Sequence, residues 1–76
     1  MNIYQVVVDC WYRVGKDPQR VRRTIEVEAD SIGAARQTAI DFCDTHADSS
    51  KELMGIEFRS AHKVARSSYP REVFNR

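Results

Sequence analysis

The chain has 76 residues, of which 42% are hydrophobic and 30% are charged, and its formal net charge is +1. This length allows one hydrophobic core and no second domain, and the composition is not that of a disordered or collagen-like chain. No apolar run approaches the roughly 20 residues that span a bilayer, and residues 1–11 contain no signal-peptide core. We therefore expect a soluble, cytoplasmic protein.

The N-terminal third predicts a β-hairpin. Residues 3–14 alternate, which predicts a strand with one face on a core, and residues 21–29 alternate again. Between them, residues 15–19 contain Gly and Asp-Pro, which favour a loop. The predicted core face of the first strand comprises Tyr4, Val6, Val8, Cys10, Tyr12 and Val14.

The middle of the chain predicts a helix followed by a third strand. Asp30 or Ser31 can cap the first helical turn, because each has a side-chain oxygen that accepts a backbone N–H. The predicted buried stripe of the helix comprises Ile32, Ala35, Ala39, Phe42, Cys43 and His46. Residues 53–64 alternate a third time, with one predicted face made by Met54, Ile56, Phe58, Ser60, His62 and Val64.

These elements predict an α+β fold of ββαβ type. The expected sheet is three-stranded, antiparallel or mixed, in the order 2-1-3, with the one helix packed on one face. Because the helix links the second and third strands within one sheet, those two should run parallel with a right-handed crossover. Residues 1–66 form the predicted domain and residues 67–76 a basic C-terminal tail. The face opposite the helix stays open unless the tail or a partner covers it.

The sequence contains no recognisable catalytic or cofactor-binding motif. It has no phosphate-binding loop and no H-E-x-x-H, and neither His46 nor His62 lies in a catalytic pattern. A zinc site made by Cys10, Cys43 and these histidines would have suitable ligand types. Apolar packing of free cysteines in a reducing compartment fits their positions better. We predict no enzymatic activity, no metal, no cofactor and no small-molecule substrate.

The charges are segregated, which points to an interaction surface. Basic residues concentrate in residues 13–23 and 59–76, whereas residues 24–58 are acidic. Trp11 falls on the open face of the sheet, and an exposed Trp near Arg is typical of an interface hot spot. The predicted partner-binding residues are Trp11, Arg13, Arg20, Arg22 and Arg23.

Four alternatives remain at this stage. The basic hairpin can simply be a solvated tip, or it can lie along phosphates as part of a nucleic-acid-binding module. Tyr69, Val73 and Phe74 can fold back over Trp11 instead of a partner. The chain can also be an accessory piece of a larger assembly that adds a strand at an open sheet edge. Asp41 and Asp44 lie near the helix C-terminus, where the dipole favours cations; such placement can mark a functional surface, or the two acids can simply keep the helix end soluble.

The segment I-E-V-E-A-D-S-I-G-A-A-R-Q-T-A-I, at residues 25–40, follows a hairpin and precedes a strand. In this layout residues 3–64 resemble small phage-encoded inhibitors, most of all the ββαβ anti-CRISPR proteins of type I systems. They are also similar in layout to small phage inhibitors of bacterial RNA polymerase. The resemblance implies a stoichiometric inhibitor that binds a host protein or ribonucleoprotein and blocks nucleic-acid access or a conformational step. A type I CRISPR surveillance complex is the expected target.

Overall fold

The computed structural model describes residues 2–64 and the backbone of residues 71–73. Four strands form one sheet in the order β3-β1-β2-β4, and every neighbouring pair is antiparallel. The elements are β1 Asn2–Val14, β2 Asp17–Ala29, α1 Ile32–Thr45, β3 Glu52–Val64 and β4 Arg71–Val73. No helix in these ranges is long and apolar enough to cross a membrane.

The predicted ββαβ arrangement is confirmed. β1 lies between β2 and β3, so the order 2-1-3 holds, and the two strands joined by α1 run parallel to each other because each is antiparallel to β1. The short strand β4 falls within residues 67–76, which were predicted to form a tail. It extends the sheet beyond β2, where Thr24 pairs with Val73.

The hairpin turn is shorter than predicted. Gly15 and Lys16 alone connect β1 to β2, and Gly15 has a φ of 63°. Glycine adopts this conformation without a Cβ clash, and glycine at the first position of a two-residue loop is typical of a type II′ turn. Asp17 and Pro18, predicted as turn residues, instead begin β2 opposite Val14 and Arg13. Proline is accepted there because β2, in the described chain, has an unpaired edge at this end.

The core lies between α1 and one face of the sheet. Of the six β1 residues predicted to face it, only Val14, at the hairpin end, is exposed. Buried residues of β2 and α1 complete it: Ile25, Val27, Ala29, Ala35, Ala39 and Cys43. The core side of the helix consists of small residues, which lets its backbone approach the sheet closely.

The helix begins as predicted, but its buried stripe is narrower. The Ser31 side-chain oxygen accepts a hydrogen bond from the Ala34 N–H at 3.2 Å, so Ser31 is the N-cap. Ile32 and His46, both predicted to be buried, are exposed because they lie at the two ends of the helix. Phe42 is half-buried and stacks on the His46 ring, with 4.2 Å between ring centroids.

Strand β3 departs from its predicted alternation at two β-bulges. The register with β1 shifts where Arg59 and Met54 are inserted, so the strand changes face twice. The residues that pack against the core are Leu53, Ile56, Phe58 and Ala61. The prediction that His62 shares a face with Phe58 is therefore wrong: His62 lies opposite Gln5 and is exposed.

Candidate interaction surface

The side of the sheet opposite α1, here called the outer face, carries the candidate site. In the register of the three long strands, Trp11 on β1 lies between Arg20 on β2 and Gly55 on β3. One step along, Asp9 lies between Arg22 and Glu57. The central strand therefore presents one aromatic ring and one carboxylate to this face, with arginines beside both on β2.

Asp9 is fully buried although it lies on the outer face. Arg22 covers it: Nε donates to Oδ1 at 2.8 Å and Nη2 donates to Oδ2 at 3.1 Å. Arg59 approaches from β3, with its Nε 3.6 Å from Asp9 Oδ2. The hydrogen bond from Arg22 lowers the pKa of the Asp9 carboxyl below its ordinary value, and the charges of Arg22, Arg20 and Arg59 add to this against the effect of burial.

A second carboxylate links this ion pair to the aromatic residue. Arg59 Nη1 lies 3.6 Å from Glu57 Oε2, and the indole Nε1 of Trp11 donates to Glu57 Oε1 at 3.4 Å. A continuous side-chain network thus crosses three strands, from Arg22 through Asp9, Arg59 and Glu57 to Trp11. Because each member holds the next, the network restricts the rotamers of the groups that a partner would meet.

Trp11 borders an open space on one side. Its neighbour on β3 is Gly55, and nothing lies within 4 Å of the position that a Cβ would take at this glycine. Among the described residues, the surface beside Trp11 is therefore open at this position.

Four of the five predicted partner-binding residues share the outer face, and one does not. Arg13, Arg20 and Arg22 pair in register with residues of the Trp11 face. Arg23 points to the helix side: Nη1 donates to the His46 carbonyl at 3.2 Å, and its guanidinium lies 5.8 Å from the Phe42 ring centroid. The prediction that Arg23 binds a partner together with the residues of the open face is therefore wrong. Tyr69 and Phe74 lie outside the described residues, and of Val73 only the backbone is described.

The position of Arg23 also accounts for the acidic C-terminal end of the helix. α1 carries no basic residue in its last turn. A cation there is favourable because the terminal carbonyls carry the negative end of the helix dipole. β2 supplies that cation across the core-facing side of the sheet, so the helix does not need its own.

Three members of the network were not predicted from the sequence: Asp9, Glu57 and Arg59. A signal for Asp9 existed, because a two-residue turn at Gly15 and Lys16 places Asp9 directly opposite Arg22. No comparable signal existed for Arg59, since its contact with Asp9 depends on a bulge that simple alternation does not reveal. The contacts of Glu57 with Trp11 and Arg59 were not predicted.

The outer face is mixed in charge. Its described arginines are Arg13, Arg20, Arg22 and Arg59, and its described acids are Asp9, Glu26, Glu28, Glu52 and Glu57. Arg13 and Arg20 lie at the hairpin end without an ion pair to another described residue, whereas Glu26 and Glu28 lie at the opposite end. Glu26 is buried and accepts a hydrogen bond from Gln5 at 2.9 Å. The hairpin end, with Arg13 and Arg20 against Glu52, is therefore weakly basic on a face of nearly balanced charge.

A cleft of about 330 Å³ opens on the helix side of the sheet, where Arg23, His46 and Lys51 lie near Tyr12. These groups are engaged locally: Lys51 Nζ donates to Gln19 Oε1 at 2.7 Å, and the Tyr12 hydroxyl accepts from the Asp48 N–H at 3.2 Å. These hydrogen bonds therefore hold the connection between α1 and β3 against β1 and β2.

The histidines and cysteines do not converge on a metal site. Cys10 and Cys43 are buried in the core, whereas His62 is exposed on the outer face. Within residues 2–64 and 71–73, no group of three His, Cys, Asp or Glu side chains could hold a metal ion.

Comparison of the chain with protein-family models, with curated proteins and with solved structures finds no significant match.

Proposed function

We propose that this chain is a small non-enzymatic protein that acts by binding another protein through the hairpin end of its outer face. The observation that carries this proposal is the position of Trp11, which lies on the side of the sheet that no described element covers, between Arg20 and the open space at Gly55. Trp and Arg are the residue types most enriched among those that dominate binding energy at interfaces.

The ordered network beneath this surface supports the same function. Binding costs free energy when side chains must be fixed at the interface. Trp11 and Arg22 are already held, through Glu57 and Asp9, before any partner arrives. A surface of this kind loses little further side-chain entropy on association, which favours tight stoichiometric binding by a small domain.

The distribution of charge favours a protein or ribonucleoprotein over naked nucleic acid. A surface built to follow phosphates is basic along its length. On this face Arg22 and Arg59 are paired with carboxylates, and only at the hairpin end do arginines, Arg13 and Arg20, outnumber the acid, Glu52. A partner surface that carries an acidic patch beside an apolar patch would be complementary to Arg13, Arg20 and Trp11.

In its specific form, the proposal is that of a phage-type inhibitor of a bacterial host complex. The resemblance of residues 25–40 and of the surrounding layout suggests a type I CRISPR surveillance complex as the target. Binding would block nucleic-acid access or a conformational step. Host RNA polymerase is the other target class that the resemblance suggests.

The test is an affinity pull-down from bacterial lysate, with and without nuclease, using the wild type, Trp11→Ala and Val14→Ala. Val14 is an exposed apolar residue at the same end of β1 but on the helix side, so it is a matched control. We expect one complex, recovered in near-equal amount and insensitive to nuclease, that Trp11→Ala loses and Val14→Ala keeps. Retention by a well-folded Trp11→Ala variant would contradict the proposal.

The target class has its own test. Purified type I surveillance complex is mixed with labelled target DNA in the presence of increasing amounts of the chain. Loss of DNA binding or of DNA cleavage at about one equivalent supports this target, and unchanged activity at saturating chain removes it. The protein-binding proposal itself would survive that second result, because the pull-down tests it independently.

A second candidate function, nucleic-acid binding, rests on one observation. Arg13, Lys16 and Arg20 form no ion pair with another described residue, and they lie at the same end of the molecule as Trp11. Such a site would bind single-stranded RNA or DNA with an affinity that falls steeply as salt rises. Fluorescence anisotropy with labelled oligonucleotides at several salt concentrations distinguishes it from the protein-binding function.

A further inference from the structure

We infer that the free edge of β3 pairs with β3 of a second copy of this chain, so that two sheets join into one. This inference concerns a different surface from the outer face and does not depend on the proposed function. β3 is the terminal strand of the order β3-β1-β2-β4, and in the described chain its second edge has no neighbouring strand. A long free edge offers a row of backbone donors and acceptors to another strand.

Two of the three large apolar side chains that are exposed in the described chain lie near this edge. Among the described residues, the large hydrophobic side chains that are exposed are Ile32 at 51%, Met54 at 49% and Val14 at 46%. Met54 belongs to β3 itself. Ile32 lies four and eight residues before Arg36 and Ile40, so these three form one row along α1. Arg36 lies over the Phe58 ring at 4.8 Å, which places this row on the β3 side of the helix.

A groove between α1 and β3 offers a receptor for such a side chain. It encloses about 320 Å³ and is lined by Ile40, Asp41, Asp44 and residues 53–56 of β3. Its base is therefore apolar, whereas its helical rim is acidic. The groove lies at the N-terminal end of β3, and Ile32 lies at the level of the opposite end because α1 runs back along the sheet.

A two-fold axis through the middle of β3 brings these features together. Between the two bulges, residues 55–58 form a regular stretch that can pair with itself in an antiparallel manner. An axis perpendicular to the sheet places both helices on the same side, and each copy then presents Ile32 toward the groove of the other. Such an interface is isologous, with the same contact made twice.

The charges along the edge are complementary under the same operation. Asp44 and Glu52 lie at the groove end, whereas Arg59 and Lys63 lie toward the other end of β3. Lys63 is exposed on the helix side, since it pairs with Tyr4 of the core face. Antiparallel pairing brings Lys63 of one copy toward Asp44 of the other, which gives the acidic end of the helix a partner of opposite charge.

Sedimentation equilibrium over a wide concentration range tests the inference with the full chain. The wild type should form a dimer, and Ile32→Glu should raise the dissociation constant by about tenfold or more, because it places a charge in an apolar contact. Ile32 is exposed, and an acid in the first helical turn is favourable to the helix, so the variant should stay folded. Val14→Glu, an equally exposed site away from the edge, is the matched control and should dimerise as the wild type does.

A charge exchange identifies the contact. Lys63→Glu should weaken the dimer, and the double variant Lys63→Glu with Asp44→Lys should restore it, because both reversed charges meet in the second copy. A wild type that remains monomeric at the highest concentration measured would overturn the inference. A dimer that Ile32→Glu and Lys63→Glu leave unchanged would also overturn it, since the interface would then lie elsewhere.

Discussion

The guanidinium of Arg22 closes over the carboxylate of Asp9, which it meets across β1 and β2 with two hydrogen bonds of 2.8 and 3.1 Å. The side chain of Asp9 is 1% exposed, whereas that of Arg22 is 44% exposed. The Arg22 side chain therefore shields the Asp9 carboxylate from solvent and supplies both of its close hydrogen bonds. Removing the partner of a buried carboxylate lowers the stability of the folded state by much more than the intact ion pair contributes to it.

We expect Arg22→Ala to lower stability, with a fall in the folding equilibrium constant on the order of tenfold or more. Arg59, at 3.6 Å, can only partly replace the lost hydrogen bonds. Urea unfolding followed by circular dichroism measures the change. Arg20→Ala, two residues earlier on the same face of β2, is the matched control and should have little effect. Equal midpoints for the two variants would contradict the covering role of Arg22.

Acid should destabilise the fold through the same carboxylate. The pKa of Asp9 in the folded state lies below its ordinary value of 3.8, because Arg22 hydrogen-bonds its ionised form. A lowered folded-state pKa adds stability that is fully present above the ordinary pKa and is lost as the pH falls through the folded value. The free energy of unfolding of the wild type should therefore fall below pH 3.8.

The variant Asp9→Asn isolates this contribution. It should be less stable than the wild type at neutral pH and should show a shallower loss of stability below pH 3.8. Asp48, whose pKa is lowered chiefly by a hydrogen bond from the Ser50 side chain, titrates in the same direction. The pH profile of Asp48→Asn therefore serves as the comparison, because it shows the effect of removing a different carboxyl whose pKa is also lowered. Parallel pH profiles of the wild type and Asp9→Asn would show that Asp9 is not the linked group.

Arg23→Gln should destabilise the protein by about 1 kcal/mol, because the helix loses the cation at its carbonyl end. The contact of the guanidinium with the Phe42 ring is lost as well. Thermal unfolding at low and high salt measures both effects. The difference in stability between the wild type and Arg23→Gln should shrink at high salt, because salt screens the interaction of the cation with the helix dipole. Arg13→Gln, an exposed arginine of the same hairpin, should leave the midpoint unchanged.

Ala39→Val should cost about 1–3 kcal/mol, because two added methyl groups have no room where α1 lies against the sheet. Ala39 is fully buried, as is Ala35 one turn earlier. An exposed alanine of the same helix offers a control that separates packing from helix propensity: Ala34→Val makes the same change at a position outside the core. Chemical denaturation compares the two, and similar losses would indicate that propensity alone is responsible.

The order of the strands and the core face of β1 were accessible from the sequence, because both follow from apolar periodicity and from the helix between two strands. The faces of β3 were not. Each bulge inserts one residue, so Leu53 and Ala61 join the core although they fall outside the alternation that contains Ile56. Nothing in the alternation marks where an extra residue will be accommodated.

The site was predicted in part for a similar reason. Trp11 and its arginines could be placed on the outer face by counting along the strands. Their carboxylate partners required a register, which depends on the length of the turn, and a loop of five residues hides the pairing of Asp9 with Arg22. Arg23 was grouped with its neighbours in sequence, although successive residues of a strand point to opposite faces.

The central position of β1 has a consequence for hydrogen exchange. Its backbone amides form bonds with two different neighbours, β2 through a two-residue turn and β3 through pairings that span most of the chain, such as Ile3 with Val64. If β3 detaches as a unit, the β1 amides that bond to it should exchange together while those that bond to β2 remain protected. The exchange rates of alternate β1 amides therefore report separately on the separation of β1 from β2 and on the detachment of β3.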